Sequence, residues 1–361
     1  MSYLWVEENR FEYSYIKQNK ISEENLSSYS KACYDFCHLW LNGLDTLITK
    51  TSGSTGEPKE IRLNRTQLIC SAHKTIKYFG LTSSDVLLCV LNTAYIAGRM
   101  MLIRAMECGA AAICVPPASD IYTYLKQRVF NFTAVVPLQL PAILRYEQEG
   151  DSMTVKSIKG ILVGGAPLSN ALRELCKKSS LPIYESYGMT ETCSHIALKK
   201  ISKHDISNAF TIMDNIQVSR DERSCLVIRG DVTNDEIIVT NDIVELINDK
   251  QFRWLGRYDN TINSGGIKVQ PEKVEKVIEE IFLSAKISHR FFVCGTADER
   301  LGTAVTLCIE GTKGDIDEEY LLQKCKEFLT PYEVPKKIKY VNEMATTATG
   351  KIDRIKTIQG M

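Results

Sequence analysis

Four short, continuously apolar runs constrain the fold more than any other feature of this chain. They are "DVLLCVLN" (85–92), "AAAICV" (110–115), "FTAVV" (132–136) and "KGILVGG" (159–165). Helical patterns follow them, as in "GRMMLIRAMECG" (98–109). A strand with no polar alternation is buried on both faces, and strands joined through helices run parallel. The pattern therefore predicts an α/β fold, with a large domain of mostly parallel sheets covered by helices. Other elements agree. "DTLITK" (45–50) reads as a strand, and "NRTQLICSAHKTIKYFG" (64–80) as a helix with Asn64 as N-cap and Gly80 just past its end. Residues 22–43 read as an amphipathic helix capped by Ser22.

The texture changes after about residue 225. "CLVIRG", "EIIVT", "IVELI" and "FRWLG" are short strands without intervening helices, which predicts a small antiparallel subdomain. From Arg257 onward, helices ("PEKVEKVIEEIF", "DEEYLLQKCKEFL") alternate with strands ("HRFFVCG", "TAVTLCIE", "KKIKYV") in a small, compact α+β C-terminal domain. The boundaries are 1–256 and 257–361.

Composition excludes several classes. The 361 residues carry 44 Lys+Arg against 44 Asp+Glu, so no global field draws nucleic acid or an anionic membrane. The acidic start "MSYLWVEENRFEY" is unlike a signal peptide, and no apolar run reaches membrane-spanning length. The twelve cysteines include no C-x-x-C pair. Cys33 and Cys37 share a helix face without further ligands. Reduced thiols in a cytoplasmic protein are the expectation.

One run stands apart from this regular alternation. In "TSGSTGEPK" (51–59), Gly53 and Gly56 let the backbone approach a ligand closely. Successive N–H groups would make an anion nest, with hydroxyls at Thr51, Ser52, Ser54 and Thr55 and a cation at Lys59. A solvated loop has the same composition, and the Walker spacing is absent. The loop alone leaves both readings open.

Four further motifs follow in order: "ESYGMTET" (185–192), "TNDIV" (240–244), "GRYDNTINSGGIKVQPEKVE" (256–275) and "TATGKIDR" (347–354). With the loop, this set resembles the adenylate-forming (AMP-binding) superfamily of acyl-CoA synthetases over residues 45–355. The resemblance implies a carboxylic acid, ATP and coenzyme A as substrates and Mg²⁺ as cofactor. The acid would attack the α-phosphate of ATP, and a thiol would then displace AMP. It implies that Ser54, Thr55, Gly56 and Lys59, flanked by Thr51 and Ser52, grip the β- and γ-phosphates. Thr190 would touch the α-phosphate and Glu191 would hold Mg²⁺. Gly164, Gly165, Ala166 and Pro167 would lie beside the adenine, with Tyr187 on the purine and Asp242 and Arg257 on the ribose. Lys351 would neutralise charge during adenylation. Asp259 would be the hinge, and Ser264, Gly265 and Gly266 would line the CoA channel.

For the acid, "VVPLQLPAIL", "ILVGGAPLSNALRE" and "GMTETCSHIAL" most resemble the o-succinylbenzoate–CoA ligases of menaquinone biosynthesis. That implies an aromatic keto-dicarboxylate, whose second carboxylate needs a polar anchor. Tyr95, Arg99, Ser194 and His195 are the candidates. Where many relatives have "FHxxG", this chain has "AYIAG", with Tyr95 in the aromatic position. The phosphate loop begins near residue 51, so the chain is short for the superfamily. Three readings remain at this stage: a CoA ligase for this or another small or aromatic acid, an adenylation enzyme loading a carrier-protein thiol, and a non-catalytic nucleotide or acyl-adenylate sensor. The resemblance leaves a homodimer open.

Overall fold

The apolar runs form strands whose alternate side chains enter two different cores. The computed structural model describes residues 2–19, 26–50, 59–149, 155–203, 208–346 and 352–360. Five parallel strands make the centre: β5 (Val86–Cys89), β6 (Ala111–Cys114), β7 (Phe132–Val135), β8 (Gly160–Val163) and β9 (Ile183–Gly188). Leu87, Cys89, Phe132 and Leu162 point to one core, and Leu88, Val135, Ile161 and Val163 to the other, as a period of two requires. The first core is closed by α2 (Ser28–Leu41), α3 (Arg65–Phe79) and α4 (Ile96–Cys108), through Trp40, Leu68 and Met101. The second is closed by α5 (Tyr122–Gln127), α6 (Leu140–Glu149) and α7 (Asn170–Lys178), through Leu125, Ile143 and Cys176. The short helix α1 (Tyr13–Gln18) precedes α2.

The sheet extends beyond these strands in both directions. β1 (Tyr3–Val6) adds parallel to β6, and β2 (Asn9–Glu12) pairs antiparallel with β1 at that edge. On the other side follow β10 (His195–Lys200), β11 (Phe210–Ile212), β15 (Gln251–Arg257), β14 (Ile238–Asn248), β13 (Cys225–Gly230) and β12 (Ile216–Arg220), all antiparallel. The antiparallel strands expected as a small separate unit thus continue the main sheet. "EIIVT" and "IVELI" fuse into the single eleven-residue strand β14.

Strands β3 (Thr46–Lys50) and β4 (Glu60–Asn64) form a separate hairpin in register from Thr46↔Asn64 to Lys50↔Glu60. The next helix starts as the sequence specifies. Asn64 and Gln67 form a reciprocal capping box, and Gly80 closes α3 in the left-handed region at φ +59°. Helix α2 begins later than expected. Ser27 is its cap, accepting from Ser30 N at 3.2 Å, and Ser22 lies outside the described residues.

Residues from Ile262 onward bury a core of their own. The sheet β18 (Phe291–Asp298), β19 (Gly302–Glu310) and β20 (Lys337–Val341) packs on α8 (Pro271–Ser284) and α9 (Glu318–Phe328) through Val274, Ile278, Val305, Leu307 and Leu321. A hairpin, β16 (Ile262–Ser264) and β17 (Ile267–Val269), precedes α8, and helix α10 (Arg354–Gln359) closes the described chain. Glu279 on α8 reaches the main body, where its Oε1 accepts from Asn170 N at 2.7 Å. No helix of the described residues is long and apolar enough to cross a membrane.

The capping box fixes where α3 starts behind the hairpin. Asn64→Ala should lower unfolding stability by about 1 kcal/mol in urea titrations, and Asn64→Asp by less.

Candidate active site

Parallel pairing puts the ends of β5, β7, β8 and β9 on one edge of the sheet, where ligands of open α/β sheets gather. The turn at 91–95, the Pro137–Gln139 turn, Gly164–Pro167 and Gly188–Glu191 all leave from that edge. Close approach explains two of the glycines. A Cβ at Gly164 would lie 2.6 Å from Ser186 Oγ, and one at Gly188 would lie 2.2 Å from Ser194 O. Gly165 has φ +84°, which suits glycine.

After Gly188 the chain makes a single 3₁₀ turn over Thr190–Thr192. Thr192 anchors it: its buried Oγ1 accepts from Met189 N at 3.1 Å and lies 2.8 Å from Ser194 O. Cys193 then takes φ +64° to re-enter the sheet as β10. Thr190 and Glu191 are half-buried, and neither side chain makes a hydrogen bond among the described residues. A free carboxylate beside a hydroxyl at this edge suits a hard, oxygen-seeking cation such as Mg²⁺, which also uses substrate phosphates as ligands.

Asp242 and Arg257 are register partners on β14 and β15. Asp242 is largely buried and accepts from Tyr187 Oη at 2.7 Å and from Trp254 Nε1 at 3.1 Å. Trp254 escaped the sequence reading; its indole lies within hydrogen-bond reach of Asp242 because β14 and β15 pair with a register shift nearby. The Tyr187 ring packs on Phe210 and Phe252, with centroids 5.8 and 5.2 Å away. Arg257 forks onto Asp259 through bonds of 2.8 and 2.6 Å, with Nη1 3.9 Å from Asp242. That bonding holds the Asp259 carboxyl below the usual carboxylate range. Next in the chain, Asn260 donates to Glu272 Oε1 at 2.6 Å. Ser264 is buried with no partner for its hydroxyl among the described residues, and Gly265 and Gly266 take φ +59° and +84° in the β16–β17 turn.

The expected acid-binding residues separate into two groups. Tyr95 is exposed at the start of α4. Arg99 donates to Thr93 O at 3.0 Å and to Ile48 O at 3.3 Å, so its guanidinium is committed to backbone carbonyls. Ser194 and His195 instead meet a cation that the sequence reading missed, Arg104. It is 2% exposed on α4, inside the buried run Met100–Ala105. Its Nη2 donates to Ser194 Oγ at 3.1 Å, and that hydroxyl shares a 2.6 Å hydrogen bond with Ser71. Its Nε has no partner, and it forms no ion pair among the described residues. Burial lowers its pKa to about 10, which leaves it charged at neutral pH. A charged residue within an otherwise apolar helical run was the signal available in "MMLIRAM". The His195 Nε2 lies 3.3 Å from Thr75 Oγ1. Burial, with Arg104 nearby, pushes His195 well below its usual 6.5, so the imidazole is neutral.

Thr51, Ser52, Ser54, Thr55 and Gly56 lie outside the described residues, between the two strands of the β3–β4 hairpin. Lys59, just before β4, is exposed, and Lys351 lies outside the described residues. His195 yields a test. Below pH 6.5 the unfolded chain binds a proton that folded His195 refuses, so acidification destabilises the fold by up to about 1.4 kcal/mol per pH unit. His195→Gln should flatten this acid slope in urea midpoints compared between about pH 7.5 and about pH 5.5.

The model of the AMP-binding enzyme family matches residues 46–218, and the AMP-binding enzyme C-terminal domain matches residues 277–351. A 2-succinylbenzoate–CoA ligase of Bacillus mycoides is 28% identical over 335 residues, covering 85% of this chain and 68% of that protein. An acyl-CoA synthetase (AMP-forming)/AMP-acid ligase II-like protein of Dyadobacter fermentans is 37% identical, with 96% of this chain and 97% of that one covered at a TM-score of 0.62. The o-succinylbenzoate coenzyme A synthetase of Bacillus subtilis, solved with ATP and magnesium, shares the fold at a TM-score of 0.74 and 23% identity, over 86% of this chain and 69% of that one. The chain belongs to the AMP-binding enzyme family, the adenylate-forming acid–thiol ligases.

Proposed function

We propose that this enzyme joins 2-succinylbenzoate to coenzyme A through an acyl-adenylate. The observation that carries the choice of acid is Arg104, a buried guanidinium with an unpartnered Nε and no ion pair among the described residues. Burying an unpaired charge is costly, so the site favours a ligand that brings an anion. 2-Succinylbenzoate has two carboxylates. One reacts, and the other meets Arg104 with Ser194 and Ser71, while neutral His195 adds no competing charge. The name of the Bacillus mycoides relative points to the same acid.

In the first step an oxygen of the reacting carboxylate forms a bond to the α-phosphorus of ATP, and pyrophosphate leaves with the electrons of the broken P–O bond. In the second, the CoA thiol loses its proton, its sulfur bonds to the acyl carbon, and AMP departs. Thr51, Ser52, Ser54, Thr55, Gly56 and Lys59 hold the β- and γ-phosphates. Thr190 contacts the α-phosphate, and Glu191 holds Mg²⁺, which when bound offsets phosphate charge. Gly164, Gly165, Ala166 and Pro167 pass beside the adenine, Tyr187 borders it, and Asp242 with Arg257 takes the ribose hydroxyls. Ser264, Gly265 and Gly266 line the path of the pantetheine arm. The small domain begins near 257 and turns about Asp259, and Lys351 donates to the developing charge during adenylation.

Three outcomes follow. The purified protein with ATP, Mg²⁺ and CoA should release AMP with 2-succinylbenzoate and far less with benzoate or medium-chain fatty acids; turnover only with another acid sinks the substrate and keeps the chemistry. Lys351→Ala should slow adenylation about 10²–10³-fold, as loss of one transition-state donor does. Arg104→Met should lower kcat/KM for the dicarboxylic acid by about 30-fold or more, the loss of a buried charged partner, with little change in KM for ATP.

A further inference from the structure

An ion pair between Arg354 and Glu275 ties the last helix of the described chain to α8. Arg354 opens α10, three residues after Lys351 in the sequence. Its Nη2 donates to Glu275 Oε2 at 3.0 Å, and its Nη1 donates to Val293 O at 3.5 Å. Glu275 Oε1 accepts from Val293 N at 2.7 Å. β18 is an edge strand, whose outward N–H and C=O groups lack a strand partner. Glu275 and Arg354 take both groups of Val293 and thereby fasten α8 and α10 to the same point of the sheet. The Arg354 guanidinium also lies 5.8 Å from the centre of the Phe292 ring. Burial raises the pKa of Glu275, and Arg354 opposes that shift.

The described residues on either side of 347–351 are fastened to each other as well. Thr346 and Ile352 form a β-bridge, and Asp353 N donates to Ala345 O at 2.8 Å. The buried Thr357 hydroxyl accepts from Ala345 N at 3.1 Å and donates to Asp353 O at 2.7 Å. Thr346 and Ile352, the residues on either side of 347–351 in the sequence, thus share one base, and Arg354 ties that base to α8. The same face of α8 presents Glu272 to Asn260 and Glu279 to Asn170 N, at the i, i+3 and i+7 spacing of a single stripe.

We infer that Arg354 and Glu275 are positioning residues for the adenylation step. They fix Thr346 and Ile352, which flank the segment bearing Lys351 in the sequence, in register with the helix that also contacts the Asn260 turn and the main body. The inference rests on the role proposed for Lys351.

Two measurements on the full chain test it. Amide hydrogen exchange at Asp353 and Thr357 should quicken about tenfold in Arg354→Met, and less in Glu275→Gln, without change in the β5–β9 strands. In pyrophosphate exchange with 2-succinylbenzoate, Arg354→Met should lower kcat about 10–100-fold and leave KM for ATP near wild type. Thioester formation from supplied 2-succinylbenzoyl adenylate and CoA should keep its wild-type rate, a result that misfolding would not give. Because Arg354 acts through Lys351, the double variant K351A/R354M should be no slower than K351A. Unchanged exchange at Asp353 and Thr357, or additive losses in the double variant, overturns the inference. If K351A is slow and R354M is not, the inference alone falls. If K351A adenylates normally, the role of Lys351 falls and takes the inference with it.

Discussion

The parallel hydrogen-bonded ladder of β5, β7, β8 and β9 is the constraint on which the rest of this molecule depends. A crossover between parallel strands must return to the same end before the next strand begins. Each loop that leaves the ladder therefore emerges at one edge, whatever its own sequence. Because β10, β11, β15 and β14 continue the sheet, Asp242 belongs to the same framework as Gly164 and Thr190. Strand spacing of about 4.8 Å then sets the distances between the strands from which they leave, and the Thr192 hydroxyl holds the turn that carries Thr190.

On that framework, two arginines of one helix have opposite characters. Arg99 and Arg104 are five residues apart on α4, yet the first is spent on carbonyl oxygens and the second is buried against hydroxyls. Carbonyls and hydroxyls both solvate a guanidinium, but neither neutralises it. The difference is exposure: Arg99 stays half-exposed, while Arg104 lies in the buried run Met100–Ala105, with Nη1 3.7 Å from Met101 Sδ. Keeping His195 neutral beside it avoids a second buried positive charge.

Much of this was legible in the sequence because it is written locally. The α3 caps at Asn64 and Gly80, the continuous apolar strands and the α8 start at Pro271 are each specified within a few residues. What stayed hidden depends on long-range pairing. Nothing near Phe210 announces that β11 will pair with β15, so the sequence shows the antiparallel subdomain but not that its strands extend the large sheet. The "EIIVT" and "IVELI" segments fuse because β13 and β15 pair along both sides of β14. The motif order pointed to Asp242, Tyr187 and Ser194, and the fold links the first two directly and brings the third to Arg104. Arg104 has no motif beyond its charge within an apolar helical run, and that signal alone does not say what the guanidinium meets. The loop residues from Thr51 to Gly56, and Lys351, remain assigned from the sequence.

The bonds of Arg99 have a consequence for how this protein can change over generations. Its guanidinium spans from Ile48 O, at the foot of the hairpin, to Thr93 O, in the turn before α4. It is a strut between strand β3 and the turn beside Tyr95. Both acceptors belong to the main chain, so a change of side chain at Ile48 or Thr93 leaves the acceptor atoms in place and cannot replace a lost guanidinium. Its inheritance rests on one codon. The exposed ring of Tyr95 beside it bears no such burden among the described residues, so exchange there leaves the brace behind it in place.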